Sequence, residues 1–317
     1  MIVRWGLGEL ANVLDQLAIA RPLLIASPRH GLSLPVAATW TEVPSHRIAE
    51  AAAQADDGVV ALGGGSAIDL GKAVSAEAGI PLVSIPTTYA GAEWTPYFGV
   101  RDPDRKMRGG GSGAHLGGIV YDPELTLTLP RAETVGTAMN ALAHCAEALY
   151  VQGHNQEADA HALQGAALIA EWLPQVVERP NDLDARTHLL EGAMHAGAAL
   201  GQSMLALGHA MAQAVGGRYG LPHGAMNAIV LPAALRFNER LAPDAVRRFG
   251  EAIGADDPVA HVRELAGLGG FERLRDFGVS EEELAEVAAA AAERPGNLAN
   301  PRPATPDEIE DLLRSVW

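Results

Sequence analysis

Leu62-Gly63-Gly64-Gly65-Ser66-Ala67-Ile68-Asp69-Leu70-Gly71-Lys72 passes from the end of an apolar run, through three glycines, straight into a helical pattern. A strand, a glycine turn and a helix in immediate succession leave unpaired helix N–H groups at the head of a backbone that a diphosphate can approach closely. Ser66 with Asp69 three residues later has the form of a capping box. The spacing matches neither the GxGxxG fingerprint nor a Walker loop, so the turn alone reads equally well as a tight strand-to-helix connection.

Working outward, short apolar runs at 23–26, 59–62, 81–85 and 118–121 are continuous rather than alternating, which suits a parallel sheet covered on both faces. Helical patterns over 8–18, 45–55 and 67–78 alternate with them, giving a β/α layer arrangement. Beyond residue 130 the strands stop. Alanine-, leucine- and glutamate-rich helical patterns cover 134–151, 156–177, 185–205, 227–238, 244–253, 258–266, 281–294 and 305–316. Thr305-Pro306-Asp307-Glu308 and Asp257-Pro258 have the composition of helix starts. The expectation is an α/β dinucleotide-binding domain over 1–131 followed by an all-α catalytic domain over 132–317.

A second loop supports a ligand at the sheet. Pro86-Thr87-Thr88-Tyr89-Ala90-Gly91-Ala92-Glu93 follows the 81–85 run and presents two hydroxyls and a carboxylate. Ligands of open α/β sheets bind beyond the carboxyl ends of strands.

Bulk properties narrow the function. The 317 residues carry a net charge of -16, which opposes binding to nucleic acid or to an anionic membrane surface. The single cysteine, Cys145, rules out an intrachain disulfide and a thiolate metal cluster; beside His144 it reads as a buried helix thiol rather than a nucleophile. No membrane span or signal-peptide pattern is present, so the cytoplasm is the expected compartment.

Of eleven histidines, His30, His46, His115, His154, His161, His188, His195 and His261 lie in unremarkable polar contexts. Three differ. Asn140 and His144 fall four apart on one face of an apolar helix. His209 lies in Leu207-Gly208-His209-Ala210-Met211-Ala212-Gln213, and His223 in Leu221-Pro222-His223-Gly224. Three imidazoles and an amide at such positions either converge between helices or serve separately as core residues.

With these segments in hand, the chain resembles the iron-containing alcohol dehydrogenase superfamily, and within it the maleylacetate reductase branch. The resemblance rests on Gly63-Gly64-Gly65-Ser66 with Asp69 and Lys72, on residues 85–96 (IPTTYAGAEWTP), 121–130 (YDPELTLTLP) and 139–150 (MNALAHCAEALY), on His209 and His223, and on Asn300-Pro301-Arg302-Pro303. It implies a dehydroquinate synthase-like fold with a cleft between two domains, a homodimer, and NADH or NADPH as cofactor. Gly63, Gly64, Gly65 and Ser66 are then expected at the pyrophosphate, with Asp69, Thr87, Thr88, Tyr89 and Glu93 around the cofactor. The metal-dependent members hold iron or zinc with an aspartate and three histidines. Here Asn140 takes the aspartate position, and His144, His209 and His223 match the histidines. A neutral amide is a poorer ligand for a hard cation than a carboxylate, so a divalent metal is not expected to be required.

The branch implies reduction of the conjugated double bond of maleylacetate to 3-oxoadipate, in the degradation of aromatic compounds. On that reading His144, His209 and His223 serve the enolate, Asn140 orients them, and Lys106 and Arg302 neutralise the carboxylates of a dicarboxylate substrate. Lys106 also reads as part of a solvated charge run, Asp104-Arg105-Lys106-Met107-Arg108. Ser27-Pro28-Arg29 stands where an acid would select NAD, so both cofactors are expected to be accepted. Three departures from the branch stand out: Gln213 where a histidine is usual, His209 and His223 contexts closer to the alcohol dehydrogenases, and a shortened 27–44 region. The competing readings are a metal-dependent alcohol or aldehyde oxidoreductase, a dehydroquinate synthase-like lyase, and a non-catalytic nucleotide-binding protein.

Overall fold

A computed structural model describes residues 1–317 except His30, which lies outside the described residues. The chain divides into two compact units. One comprises Met1–Thr88 and Ala92–Thr128; the other comprises Tyr89–Gly91 and Leu129–Trp317.

The first unit is built on a parallel sheet. Its strands are β1 (Ile2–Trp5), β2 (Leu23–Ala26), β3 (Ala38–Trp40), β4 (Val59–Gly63), β5 (Pro81–Pro86) and β8 (His115–Tyr121), in the spatial order β1-β8-β5-β4-β2-β3. All five pairings are parallel. Two further strands, β6 (Phe98–Arg101) and β7 (Met107–Gly111), form a separate antiparallel ribbon. The helices of this unit are α1 (Leu10–Gln16), α2 (Ile48–Ala52) and α3 (Gly65–Ala78).

The apolar runs are continuous because both sheet faces are covered. Leu24, Ala26, Val60, Leu62, Val83, Ile85 and Val120 pack with α1 on one side. Leu23, Ile25, Val59, Ala61 and Leu82 pack with Leu70 and Val74 of α3 on the other. Gly71 allows α3 to lie close to the sheet, since a Cβ there would sit 2.7 Å from that of Ala61. Among the described residues between β2 and β3 there is no helix.

The second unit is helical throughout: α4 (Arg131–Ala148), α5 (Gln156–Glu178), α6 (Leu183–Gln202), α7 (Leu207–Tyr219), α8 (His223–Asn238), α9 (Pro243–Ala252), α10 (Pro258–Gly267), α11 (Leu284–Ala292), α12 (Pro295–Leu298) and α13 (Pro306–Ser315). Alanine and glycine at the contacts bring these helices together. Gly165 of α5 faces the Cys145 sulfur, where a Cβ would come within 2.9 Å. Thr305 and Glu308 cap α13 reciprocally, and Asp257 caps α10. Among the described residues no helix is long and apolar enough to cross a membrane.

Candidate active site

In the first unit, the carboxyl ends of neighbouring strands β2, β4 and β5 carry Ser27, Gly63-Gly64-Gly65 and Thr87-Thr88. The register pairs Ala26 with Leu62 and Gly63 with Pro86, so these loops leave the sheet side by side. The Thr87 amide donates to the Gly63 carbonyl (3.0 Å), and a Cβ on Gly64 would meet the Thr88 methyl at 2.9 Å. Gly63 has φ +151°, a conformation that favours glycine.

The expected capping box at Ser66 does not form. Helix α3 begins at Gly65, Gly64 is its N-cap, and no side chain caps it. Ser66 lies inside the first turn, two positions past the N-cap. The N-terminal amides of α3 are therefore open to an anion, and a Cβ on Gly65 would meet no protein atom within 4 Å. This backbone cradle fits the pyrophosphate of a dinucleotide. Replacing Gly65 by valine should fill it without disturbing the fold. Unliganded thermal stability should stay unchanged while NADH affinity falls by about tenfold or more, or about 1.4 kcal/mol. Fluorescence titration with NADH would refute the cradle if Gly65→Val bound as tightly as the native chain.

Three residues expected around the cofactor are engaged elsewhere. Asp69 accepts from Lys72 Nζ (3.4 Å) and from the Gly99 amide (3.3 Å). Lys72, 1% exposed, also donates to Thr95 Oγ1 and to the Tyr97 carbonyl. Burial pushes its ammonium below the ordinary range, against the neighbouring Asp69 and Glu93 carboxylates. Glu93 is buried and accepts from the Tyr121 hydroxyl (2.6 Å), which in turn accepts from Trp94 Nε1 (2.8 Å). Burial raises the pKa of both Glu93 and Tyr121, disfavouring their charged forms. These groups anchor α3, β6 and β8 to one another. Tyr89 belongs to the helical unit, where its ring is fully buried and its hydroxyl accepts from Arg186 Nη1 (3.1 Å).

In the helical unit the expected amide and imidazoles do converge. The rings of His144 and His209 stack with centroids 4.4 Å apart, and those of His209 and His223 lie 5.6 Å apart. Helices α4 and α8 approach closely beside them: a Cβ on Gly224 would sit 2.4 Å from the Gly136 carbonyl oxygen. That approach brings Asn227, one turn beyond His223, to donate to Asn140 Oδ1 (2.7 Å) and to contact His223 Nε2 (3.0 Å). Asn140 Nδ2 donates to the Ala90 carbonyl (3.0 Å) and contacts His144 Nε2 (3.0 Å).

Sequence reasoning missed Glu147. It is fully buried on α4, one turn after His144, and accepts from His209 Nδ1 (2.7 Å), the His209 amide (3.0 Å) and the Ala206 amide (2.6 Å). The contact places the His209 proton on Nδ1 and leaves the Nε2 lone pair as the presented atom. Nε2 is buried with no protein partner, as is His144 Nδ1. Burial, reinforced by the neighbouring His209 and His223 rings, drives the His144 ionisation well below its ordinary value. The neutral form of His144 is therefore favoured, a ring suited to hydrogen bonding rather than to carrying charge. Cys145 is fully buried and its thiol is pushed up by burial, which makes it inert.

The donor set does not fit a divalent cation. Amide protons from Asn140 and Asn227 are directed at Nε2 of His144 and His223, the lone pairs a metal would need. Position 140 supplies no negative charge, and among the described residues no group of three or more His, Cys, Asp or Glu side chains is arranged to hold a metal.

The two cations expected at the substrate lie in different units. Lys106 lies in the exposed turn between β6 and β7 of the first unit, where its amide donates to Asp102 Oδ1. Arg302 is committed within the helical unit: its guanidinium is bidentate on Glu308 (2.8 and 3.0 Å) and lies over the Phe237 ring. Its planar fork has found an internal carboxylate.

A glycine cradle at the carboxyl edge of a parallel sheet, with a buried imidazole cluster in an all-helical unit, defines a dinucleotide-dependent oxidoreductase. Family models agree. Residues 12–116 match the iron-containing alcohol dehydrogenase model, and 134–317 match the C-terminal model of the Fe-containing alcohol dehydrogenase family. The maleylacetate reductase of Burkholderia cepacia is 36% identical over 92% of this chain and 81% of its own length. The crystal structure of maleylacetate reductase from Agrobacterium tumefaciens superposes with a TM-score of 0.88 at 31% identity, covering 100% of this chain and 95% of that one. An iron-containing alcohol dehydrogenase from Corynebacterium glutamicum superposes with a TM-score of 0.90 at 30% identity, covering 100% and 94%. The chain belongs to the iron-containing alcohol dehydrogenase family.

Proposed function

We propose that this enzyme reduces maleylacetate to 3-oxoadipate with NADH or NADPH and without a metal, a step in the degradation of aromatic compounds. The observation that carries the reading is the state of the imidazole cluster: the Nε2 lone pairs of His144 and His223 are spent on amide protons, while His144 Nδ1 and His209 Nε2 are buried without a partner. The relatives named maleylacetate reductase point to the same substrate.

A dinucleotide held through its pyrophosphate by Gly63, Gly64 and Gly65 would supply a hydride to the alkene carbon next to the carboxylate. The electron pair of the double bond moves to the ketone side as an enolate, and a proton then joins the carbon beside the ketone. The protein's task is to hold the enolate oxygen and to manage that proton. His209 is the group assigned to the proton: with Nδ1–H held on Glu147, its Nε2 takes up a proton from water and delivers it to the carbon beside the ketone. His144 Nδ1–H supplies a neutral hydrogen bond, and Asn140 and Asn227 hold the outer rings in place. Ser27, half-buried after β2, stands where a carboxylate would repel a 2′-phosphate, so NADPH is accepted beside NADH. A homodimer in the cytoplasm completes the reading.

The test is NADH and NADPH oxidation with maleylacetate, on protein stripped with a chelator and on protein resupplied with zinc or iron. Equal rates before and after resupply are expected. Turnover that appears only with metal and an aldehyde or ketone would replace this reading with a metal-dependent alcohol oxidoreductase.

A further inference from the structure

With Arg302 closed on Glu308, another cation of the helical unit is the candidate for a substrate carboxylate, and one lies on the same face of α7 as His209. His209, Gln213 and Gly217 recur every four residues and share one face of α7. The Arg294 side chain lies along that face. Its Nη1 donates to Gln213 Oε1 (3.3 Å), and its Nη2 would lie 3.8 Å from a Cβ on Gly217. The turn that follows fixes it there: α12 packs so closely on the start of α7 that a Cβ on Gly296 would sit 2.6 Å from the Ala206 carbonyl oxygen.

Arg294 is half-buried, and its Nε is enclosed without a hydrogen-bond partner. No carboxylate offsets it, and burial alone acts on its ionisation, lowering it. An arginine that gives up water without gaining an anion is costly. In a chain with 39 acidic side chains against 23 lysines and arginines, a half-buried guanidinium with no carboxylate partner among the described residues is conspicuous. At the other end of the same face, His209 Nε2 is also buried and unpartnered. Gln213, which holds the guanidinium, thus stands one helical turn from His209, a rise of about 6 Å along α7.

We propose that Arg294, held by Gln213, binds the carboxylate on the acetate arm of the substrate and so presents its ketone to His209. The assignment rests on the maleylacetate reading. In maleylacetate the ketone carbon is two bonds from the carboxylate carbon of that arm, so a carboxylate on Arg294 carries the ketone toward Nε2. A guanidinium grips a carboxylate bidentately, and an ammonium does so less well. Gln213 gives the place of a titratable imidazole to an amide whose oxygen orients the arginine.

The experiment compares native protein, Arg294→Gln and Arg294→Lys in two measurements, with NADH affinity and thermal unfolding as checks that the fold is kept. The first is calorimetric binding of adipate, a six-carbon dicarboxylate without the reacting groups, in the presence of NADH. The native protein is expected to bind it, Arg294→Gln at least about tenfold more weakly, and Arg294→Lys in between. The second is steady-state reduction of maleylacetate, where Arg294→Gln should raise KM by a similar factor or more and lower kcat far less. Equal adipate binding by native protein and Arg294→Gln, or none by the native protein, overturns the assignment. Adipate binding that depends on Arg294 in a native protein that does not reduce maleylacetate would uphold the carboxylate site and overturn the substrate.

Discussion

His209→Ala is expected to lower kcat for maleylacetate reduction by about 10²–10⁴-fold, the range a positioned proton-transfer group contributes. NADH affinity should stay within about twofold of native, because the cradle at Gly63, Gly64 and Gly65 belongs to the other unit. The magnitude follows from how each ring is engaged. His223 Nε2 and His144 Nε2 each face an amide nitrogen, which leaves the proton of His144 on its buried, unpartnered Nδ1, whereas His209 has its proton on Glu147 and its buried, unpartnered Nε2 as a lone pair. Removing His209 therefore removes the presented atom. His144→Ala should also slow turnover, by less, since its neutral Nδ1–H supports the enolate without moving the proton. Stopped-flow measurement of NADH oxidation under single-turnover conditions isolates the chemical step from product release. Near-native rates in both variants would make the cluster a structural feature of the core.

Much of this architecture is legible in the chain itself, and the parts that are not have physical reasons. The runs that become β2, β4, β5 and β8 are buried on both faces, so hydrophobicity without alternation betrays them. β1 is a half-exposed edge strand, β3 has three residues, and β7 (MRGGG) is wholly exposed, so none carries a burial pattern to read. α7 escaped for a related reason. It holds three glycines and is buried nearly all round, which erases the 3.6-residue stripe. Among site residues, the glycines and imidazoles announce themselves by type. Arg302 and Glu93 are polar residues at suggestive positions whose partners emerge only in the fold: Glu308, six residues on across the α13 cap, and Tyr121, 28 residues away on β8. Glu147 and Asn227 were within reach. A lone carboxylate in the apolar run ALAHCAEALY must find donors once buried, and an amide one turn after His223 shares its face.

Glu147 carries the other large expectation. Glu147→Ala leaves three buried donors without an acceptor: the amides of Ala206 and His209, and His209 Nδ1. Each such orphan costs about 1–3 kcal/mol, so a loss of about 3–5 kcal/mol is expected. Gly208 tightens the site further. A Cβ there would sit 2.8 Å from Glu147 Oε1, so the carboxylate is fitted against backbone with no slack for water to replace it. Because loss of fold alone would also lower activity, the informative variant is Glu147→Gln. Its amide preserves volume and can still accept from one donor, but its NH₂ turned toward His209 favours the tautomer with the proton on Nε2. Turnover should then fall by about 10²–10⁴-fold, as when the orienting carboxylate of a catalytic histidine is neutralised. KM for NADH should not follow. Nitrogen-15 spectra of the imidazoles would report the tautomer directly, and an unchanged Nδ1–H signal with native kcat would reduce Glu147 to a packing residue. If the signal moves to Nε2 while kcat collapses in a folded protein, proton placement on one buried ring is what Glu147 contributes to the reaction.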